Sequence, residues 1–259
     1  MVDIHCHILP GMDDGPDTME DSVRMAQAAI SDGVTHLVAT PHANDTYVFD
    51  PERIRRFRDE LQQKIGARLQ ISTGCDFHLS YENLQAVHQD PQRFTLNQKN
   101  YLLIEFADFA LPPFLDEALH KLQVSGLHLI ITHPERNPLV RARPERLYGW
   151  VTRGFFVQVT ALSLLGRFGP QAQQAATQYL DCNLIHFIAS DAHNLRGRPP
   201  KLREAYDWVA QRRGAAVAQA LFRDNPLAAC EGRPLPYVPE PAGPGSPPAG
   251  GRKRRFWFF

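Results

Sequence analysis

This sequence of 259 residues has no excess of positive or negative charge, no pairs of closely spaced cysteines and no long apolar run. Its 28 basic and 28 acidic residues give a formal net charge of zero, so no global field attracts nucleic acid. The four cysteines have no paired spacing, which favours reduced thiols in a cytoplasmic protein. No apolar run approaches the ~20 residues of a membrane span, and we expect no signal peptide. These features count against a membrane-spanning protein and a disulfide scaffold.

Several catalytic signatures are missing as well. Cysteine-dependent phosphatases need an arginine six residues after the nucleophile, whereas here those positions hold Met12, Tyr81, Ile188 and Pro236. Neither a GxGxxG loop nor a phosphate-binding GxxxxGKS/T loop occurs, which counts against a doubly wound, nucleotide-binding sheet. GxSxG and HExxH are also missing, so the sequence does not have the motifs of a serine hydrolase or a zincin.

Short apolar runs alternate with amphipathic stretches along the chain. Runs such as LVAT, LLIEF and IHFIA are typical of parallel strands that are buried on both faces. The predicted strands span Val2–His5, Thr35–Ala39, Leu69–Gly74, Tyr101–Phe106, Leu129–Thr132, Phe155–Val159 and Leu184–Ala189. The predicted helices span Met19–Ser31, Pro51–Lys64, Leu115–Val124, Pro144–Arg153, Gln171–Leu180 and Leu202–Gln211. Seven strand–helix units predict an α/β barrel, closed or nearly so.

The end of the chain differs from its body. Residues 240–251 read EPAGPGSPPAGG, a composition that predicts a linker, and residues 252–259 read RKRRFWFF. Because four basic and no acidic residues lie in that last segment, residues 1–251 carry a formal charge of −4. We therefore predict a catalytic domain over residues 1–238, followed over residues 239–259 by a linker and a basic, aromatic tail. Such a tail is suited to peripheral contact with an anionic membrane.

Histidines and acidic residues recur where the predicted strands end. Active sites of β/α barrels lie at that face, so the candidates can converge although they are distant in sequence. They are His5, His7, Asp14, His42, Asp76, Glu105, His133, Asp191 and His193. Residues i and i+2 of a strand face the same way, so pairs such as His5 and His7 can share an ion. Nine nitrogen and oxygen donors suit Mn²⁺, Fe²⁺ or Zn²⁺ and are too many for one ion, which predicts a hydrolase with two or three metals.

Two arginines qualify as phosphate-binding residues, because a guanidinium fork matches phosphate oxygens. Arg136 follows His133 in HPER, and Arg198 follows His193 in SDAHNLRGRPP. His78, two residues after Asp76, is a rival metal ligand. We assign the remaining histidines to the surface or the core: His36, His88, His120, His128 and His186.

From about Met1 to about Pro236 the chain resembles the polymerase-and-histidinol-phosphatase (PHP) family, on the motifs DIHCHILPGMDDGP, TPH, IEF, ITHPER and SDAHN. More narrowly, it is similar to the bacterial manganese-dependent protein tyrosine phosphatases encoded with capsule and exopolysaccharide genes. The resemblance implies a distorted (β/α)7 barrel, similar to a TIM barrel, with a three-metal site that is open to solvent.

The same resemblance implies how the ligands are divided among the ions. His5, His7 and Asp191 would hold the first ion, Glu105 and His133 the second, and Asp14, His42 and His193 the third. The carboxylate that bridges the first two ions is a glutamate in the family, and here the matching residue is Asp76, which is one methylene shorter. Arg136 and Arg198 match the family's phosphate-contacting arginines.

The resemblance also implies a substrate, the phosphorylated tyrosine-rich tail of a partner bacterial tyrosine kinase that controls polysaccharide export. It places the protein in the cytoplasm, at the inner face of the membrane if the tail binds there. Two alternatives stay open on the residues alone. One is another PHP hydrolase, acting on histidinol phosphate or on nucleic-acid ends, although the non-basic body counts against nucleic acid. The other is a metal-stabilised scaffold that binds a kinase without turnover.

Overall fold

Nine parallel strands form the centre of the protein in a computed structural model that describes residues 1–243. They are β1 (Val2–Cys6), β2 (His36–Ala39), β3 (His42–Ala43), β4 (Gln70–Thr73), β5 (Asp76–His78), β6 (Tyr101–Glu105), β7 (His128–Thr132), β8 (Phe156–Thr160) and β9 (Phe187–Ala189). Three of them pair in the order β1-β2-β4, and six in the order β3-β5-β6-β7-β8-β9. All the pairings are parallel, as the buried apolar runs predict.

Two of the seven predicted strands, the second and the third, continue after a break in a short strand that was not predicted: β3 follows β2, and β5 follows β4. Pro41 has no backbone N–H to donate to a ladder, so the second strand breaks there. At Gly74 a Cβ atom would lie 2.9 Å from the Leu96 side chain, so only glycine fits beside this neighbour. The neighbouring strands remain hydrogen-bonded at the two breaks, because the N–H of Gly74 donates to the carbonyl of Ala39 and the N–H of Asp76 donates to the carbonyl of Pro41.

The barrel closes between β1 and the residues that follow β9. Cys6 pairs with Ala192 in a parallel bridge. The N–H of Asp191 donates to the carbonyl of His5, and the N–H of His7 donates to that of Ala192, each at 2.8 Å. Counting the two interrupted strands once each gives seven, which confirms the predicted distorted (β/α)7 barrel.

Helices cover the outside of the barrel. The six predicted ones are present within one or two residues at each end: α1 (Met19–Ser31), α2 (Pro51–Ile65), α4 (Leu115–Val124), α6 (Pro144–Thr152), α8 (Pro170–Asp181) and α9 (Arg203–Arg213). Shorter helices that were not predicted are α3 (Tyr81–Gln89), α5 (Pro138–Arg141), α7 (Ala161–Leu164), α10 (Ala215–Gln219) and α11 (Asn225–Glu231). In α3 only Val87 is fully buried, so no helical apolar period marks this segment in the sequence.

The carboxyl-terminal segment packs against the barrel. Asn225 is fully buried and donates to the carbonyls of His186 and Tyr237, while its Oδ1 accepts from the N–H of Tyr237. Ala242 donates from its backbone to Cys182, so the chain follows the barrel to that point. The predicted tail, residues 252–259, and most of the predicted linker lie outside the described residues.

All four cysteines are free and buried. Across residues 1–243, none of the helices has the length and apolar character needed to cross a membrane.

Candidate metal centre

The nine candidate ligands form one connected cluster at the carboxyl ends of the strands. Nε2 of His5 lies 3.2 Å from Nε2 of His7, 3.4 Å from Oδ2 of Asp76 and 3.5 Å from Oδ1 of Asp191. The same Asp191 oxygen lies 3.5 Å from Nε2 of His7. These four side chains are at most 1% exposed, so β1, β5 and the segment after β9 meet in a closed pocket.

Glu105, at the end of β6, connects two further histidines to this group. Nδ1 of His42 lies 3.2 Å from Asp76 and 3.4 Å from Glu105, and Nε2 of His133 lies 3.4 Å from the other Glu105 oxygen. The rival candidate His78 is also adjacent, with Nε2 3.5 Å from Glu105. It touches the cluster through that one carboxylate, whereas His42 contacts three.

Asp14 completes the cluster on its solvent side. Its Oδ1 lies 3.2 Å from Nε2 of His193 and 3.5 Å from Nε2 of His42. With His7, these three residues offer ligand atoms that all lie within 4.8 Å of one another. Asp14 is exposed, so this part of the cluster is open to solvent.

The spacing of the donor atoms fits bound divalent ions. Two ligands at about 2.1 Å from a tetrahedral ion lie about 3.4 Å apart, close to the 3.2–3.5 Å between these nitrogens and oxygens. Within residues 1–243, neither oxygen of the fully buried Asp76 has a hydrogen-bond partner, and the same holds for Nδ1 of His42 and Nε2 of His193. A buried carboxylate without partners requires a nearby positive charge. The residues therefore fit a metal, and Asp76 has both oxygens available to bridge two ions.

The electrostatics of the cluster lead to the same conclusion. Burial disfavours a charged His5 ring, yet the carboxylates of Asp76 and Asp191 raise its pKa to about 9. Against the same burial, contacts with Asp14, Asp76 and Glu105 raise the pKa of His42. Burial lowers the pKa of His193 to about 4, so its ring is neutral at pH 7 and can donate a lone pair. The carboxylates thus attract positive charge to positions that a divalent cation would occupy.

Two of the candidate ligands have a left-handed backbone although neither is glycine. His133 has φ of 32° and Asp191 has φ of 51°. Such conformations cost roughly 1–3 kcal/mol each and persist where the surrounding structure enforces them. Backbone hydrogen bonds hold both residues in place. The N–H of His133 donates to the carbonyl of Gln158, and the N–H of Asp191 donates to that of His5. The strain turns both side chains toward the cluster at the ends of β7 and β9.

Asp13 and Gln158 orient the first two histidines, and the motif reasoning missed both. Oδ2 of Asp13 lies 2.6 Å from Nδ1 of His7, and Oε1 of Gln158 lies 2.9 Å from Nδ1 of His5. Each partner fixes the tautomer that leaves Nε2 of its histidine free for a metal. The sequence carried a signal for both, since Asp13 is the first aspartate of DDGP and Gln158 is a polar residue inside the apolar run FVQV.

The two predicted arginines lie between the cluster and solvent. Nη1 of Arg136 and Nη2 of Arg198 both donate to Oδ2 of Asp191, the latter at 2.5 Å. The other Asp191 oxygen faces His5 and His7. Each arginine side chain stays about one quarter exposed, so both can reach an anion that enters from solvent.

A cleft of about 350 Å³ opens beside the cluster, between the loop after β1 and the loop after β9. His193 lines it, together with apolar Pro16, Met25 and Leu195 and basic Arg24 and Arg196. The cluster therefore has adjacent space for a substrate larger than phosphate.

A parallel β/α barrel with histidines and carboxylates clustered at its strand ends defines a metallohydrolase type of protein. The chain belongs to the CpsB/CapC family of capsular polysaccharide synthesis, and residues 1–231 match this family. It is 36% identical over 231 residues to the tyrosine-protein phosphatase YwqE of Bacillus subtilis, covering 88% of this chain and 91% of that one. It is 30% identical over 235 residues to the tyrosine-protein phosphatase CpsB of Streptococcus pneumoniae, covering 87% and 96%.

A solved structure supports the same family relationship. A crystal structure from work on YwqE of Bacillus subtilis and CpsB of Streptococcus pneumoniae, described as unique metal-dependent tyrosine phosphatases, matches with a TM-score of 0.87. The match has 34% sequence identity and covers 94% of this chain and 99% of that one. The family relationship predicted from the motifs is confirmed.

We expect Asp13→Ala to weaken metal retention by about 10- to 100-fold, because His7 loses the carboxylate that fixes its tautomer. Asp13→Asn should lose less, since its amide oxygen can still accept from Nδ1. Metal content after dialysis against graded chelator measures the effect. Asp17→Ala, in the same loop but exposed, is the matched control and should retain metal like the wild type. Equal retention in all variants would contradict the orienting role of Asp13.

Proposed function

We propose that this protein is a metal-dependent tyrosine phosphatase that hydrolyses phosphotyrosine on a protein substrate. The strongest support is the position of Arg136 and Arg198, which meet on one oxygen of Asp191 while its other oxygen faces the histidine cluster. Phosphate-binding groups thus adjoin a set of metal ligands directly. The relatives named tyrosine-protein phosphatases match over almost their whole length and support the same activity.

The proposed chemistry needs positive charge and an activated water at one place. Divalent ions in such sites supply both, by lowering the pKa of a bound water and neutralising phosphoryl oxygens. His5, His7, Asp76 and Asp191 would hold one ion, with Asp76 shared by the group of Glu105 and His133. Asp14, His42 and His193 would hold a third ion on the solvent side.

The arginines act on the phosphoryl group itself. Arg136 and Arg198 donate to its equatorial oxygens, where negative charge must be stabilised during in-line attack. Each arginine donates one N–H to Asp191 and has further N–H groups available for the substrate. The tyrosine leaving group has a pKa of about 10, so it needs less protonation than an alkyl alcohol would.

Exposed apolar residues on segments that follow strands support a protein substrate. Seven large hydrophobic side chains are exposed within residues 1–243, and five of them lie just after strands, on the face that carries the ligands. They are Val48, Tyr81, Phe109, Phe114 and Leu195. Apolar side chains exposed together around a site typically mark contact with a protein or ligand.

Manganese is the proposed metal, with iron or zinc as alternatives. The nine donors are imidazole nitrogens and carboxylate oxygens, a set that suits all three ions and has no thiolate to favour zinc. The proposed substrate is the phosphorylated tail of a bacterial tyrosine kinase involved in capsule or exopolysaccharide synthesis, consistent with the family's description. The protein would then act in the cytoplasm, close to the membrane.

The central test measures release of phosphate from a phosphotyrosine peptide. We expect the wild-type protein to lose activity when excess chelator removes its metal and to regain it when Mn²⁺ is added. Matched assays with Fe²⁺ and Zn²⁺, together with elemental analysis of protein purified without added metal, identify the ion.

Two rival activities are measured in parallel. Faster turnover of histidinol phosphate or of DNA 3′-phosphate ends would assign the site to another phosphoesterase. Binding of a phosphorylated kinase with no turnover at any metal would favour the scaffold. Full activity of protein shown by elemental analysis to be metal-free would contradict metal dependence.

Arg136→Ala and Arg198→Ala should each lower kcat/KM for the peptide. Loss of one charge-assisted contact costs roughly 1.5–3 kcal/mol, which is about 10- to 200-fold. Lysine should restore part of the loss, since it keeps the charge without the two-pronged geometry. Metal content should stay at the wild-type level in each single variant, because the remaining arginine still neutralises Asp191. Steady-state kinetics and elemental analysis check both points, and wild-type kcat/KM in both alanine variants would remove these arginines from the reaction.

We also propose that residues 252–259 bring the protein to an anionic membrane surface. Four basic residues contribute roughly 1 kcal/mol each near acidic lipid, and the adjoining aromatics suit the interface. Deleting these residues should abolish sedimentation with phosphatidylserine vesicles, and high salt should weaken it in the full chain. Turnover of a soluble peptide should not change. Unaltered sedimentation of the truncated chain would contradict membrane contact through the tail.

A further inference from the structure

Phe168 lies where the two arginines converge. The guanidinium carbon of Arg136 is 4.5 Å from the centroid of its ring, and that of Arg198 is 6.0 Å away. Both distances are within the range of a cation–π interaction. One half-buried ring thus contacts two arginines that come from different strand ends.

The turn that carries Phe168 is well fixed. It lies between α7 and α8 and is flanked by Gly166 and Gly169, whose φ angles are 76° and 86°. The N–H of Gly169 donates to Gly166, and the side chain of Gln173 donates to the carbonyl of Leu164. The left-handed φ at Gly166 favours glycine, and a β-carbon there would also lie 3.0 Å from the Gln173 side chain. The ring is therefore presented by a defined backbone.

Glu135 connects this region to the loop of Arg136. Its Oε1 accepts from the N–H of Thr160 at 3.0 Å and from the hydroxyl of Ser163 at 2.7 Å. Thr160 and Ser163 lie just before the Phe168 turn, and Glu135 directly precedes Arg136. The position of the ring relative to the Arg136 backbone is thus set by buried hydrogen bonds.

We propose that Phe168 is a positioning residue that holds Arg136 and Arg198 ready for a phosphate. In the structure each guanidinium group donates one N–H to Asp191 and keeps further N–H groups that must be aimed at an incoming anion. A flat aromatic surface beside them limits the directions in which they can turn. It does so without competing for their hydrogen bonds, so it aligns the donors toward the anion.

The assignment rests on the proposed function, because it takes the arginines as the phosphate-binding residues. The readout is binding of inorganic phosphate to the Mn²⁺-loaded protein, measured by titration calorimetry, since this does not require turnover. We expect Phe168→Ala to raise the Kd of phosphate about 3- to 30-fold, the range of one to two cation–π contacts. Phe168→Tyr should bind like the wild type, and Phe168→Leu should resemble the alanine variant.

A double-mutant cycle separates positioning from packing. In an Arg136→Ala, Arg198→Ala background, Phe168→Ala should change the Kd of phosphate less than twofold, because the residue acts through the arginines. The matched control is Phe57→Ala on α2, which removes a half-buried ring contacted by Arg53 and Arg56 at 5.4 and 5.1 Å. It should leave phosphate binding unchanged.

Failure of the positioning role and failure of the phosphatase proposal give different experimental results. An unchanged Kd in Phe168→Ala, or full restoration by leucine, overturns the positioning role even if the peptide is hydrolysed. A loss restricted to kcat/KM of aryl phosphates, with normal phosphate binding, overturns it in favour of direct contact with the substrate ring. If phosphate binding follows the predicted pattern but no substrate turns over, the positioning role stands and the phosphatase proposal fails.

Discussion

The buried, unpaired carboxylate of Asp76 is the constraint on which the rest of the centre depends. Within residues 1–243 its oxygens accept no hydrogen bond, although Nδ1 of His42 and Nε2 of His5 lie only 3.2 and 3.4 Å from one of them. A charge in that position is tolerated only beside positive charge. Hence the pKa of His5 rises to about 9 despite its burial. The same electrostatic demand suits a divalent cation beside Asp76.

The irregularities of the barrel place the ligands. An unbroken ladder would carry the strands straight past the centre, whereas the breaks at Pro41 and Gly74 begin new short strands at His42 and Asp76. His42 and Asp76 are paired in register across these strands, which explains their close contact. At the other side of the barrel, the left-handed backbone at His133 and Asp191 turns these two side chains toward the cluster. The distortion of the fold and the assembly of the site therefore have the same structural cause.

Asp191 contacts both the histidine cluster and the two arginines. One of its oxygens faces the histidines, and the other accepts from two guanidinium groups that also contact Phe168. Burial acts to raise the pKa of this carboxyl, but the neighbouring positive groups outweigh burial and hold the pKa well below its usual range.

The sequence by itself determined the β/α alternation, the six long helices and the nine candidate ligands, because apolar period and histidine or carboxylate chemistry are local properties. Pro41 marks the break in the second strand, but the sequence could not supply the contact between Leu96 and Gly74 or the backbone hydrogen bonds that join distant residues across both breaks. Asp13 and Gln158 carry a signal in DDGP and FVQV, but the sequence could not show which histidine each contacts, and Phe168 carries no such signal. Each gains its role only from a neighbour that the closed barrel brings to it. That neighbour is set by tertiary structure, because hydrogen bonds and ring contacts require specific geometry, which spacing along the chain does not encode.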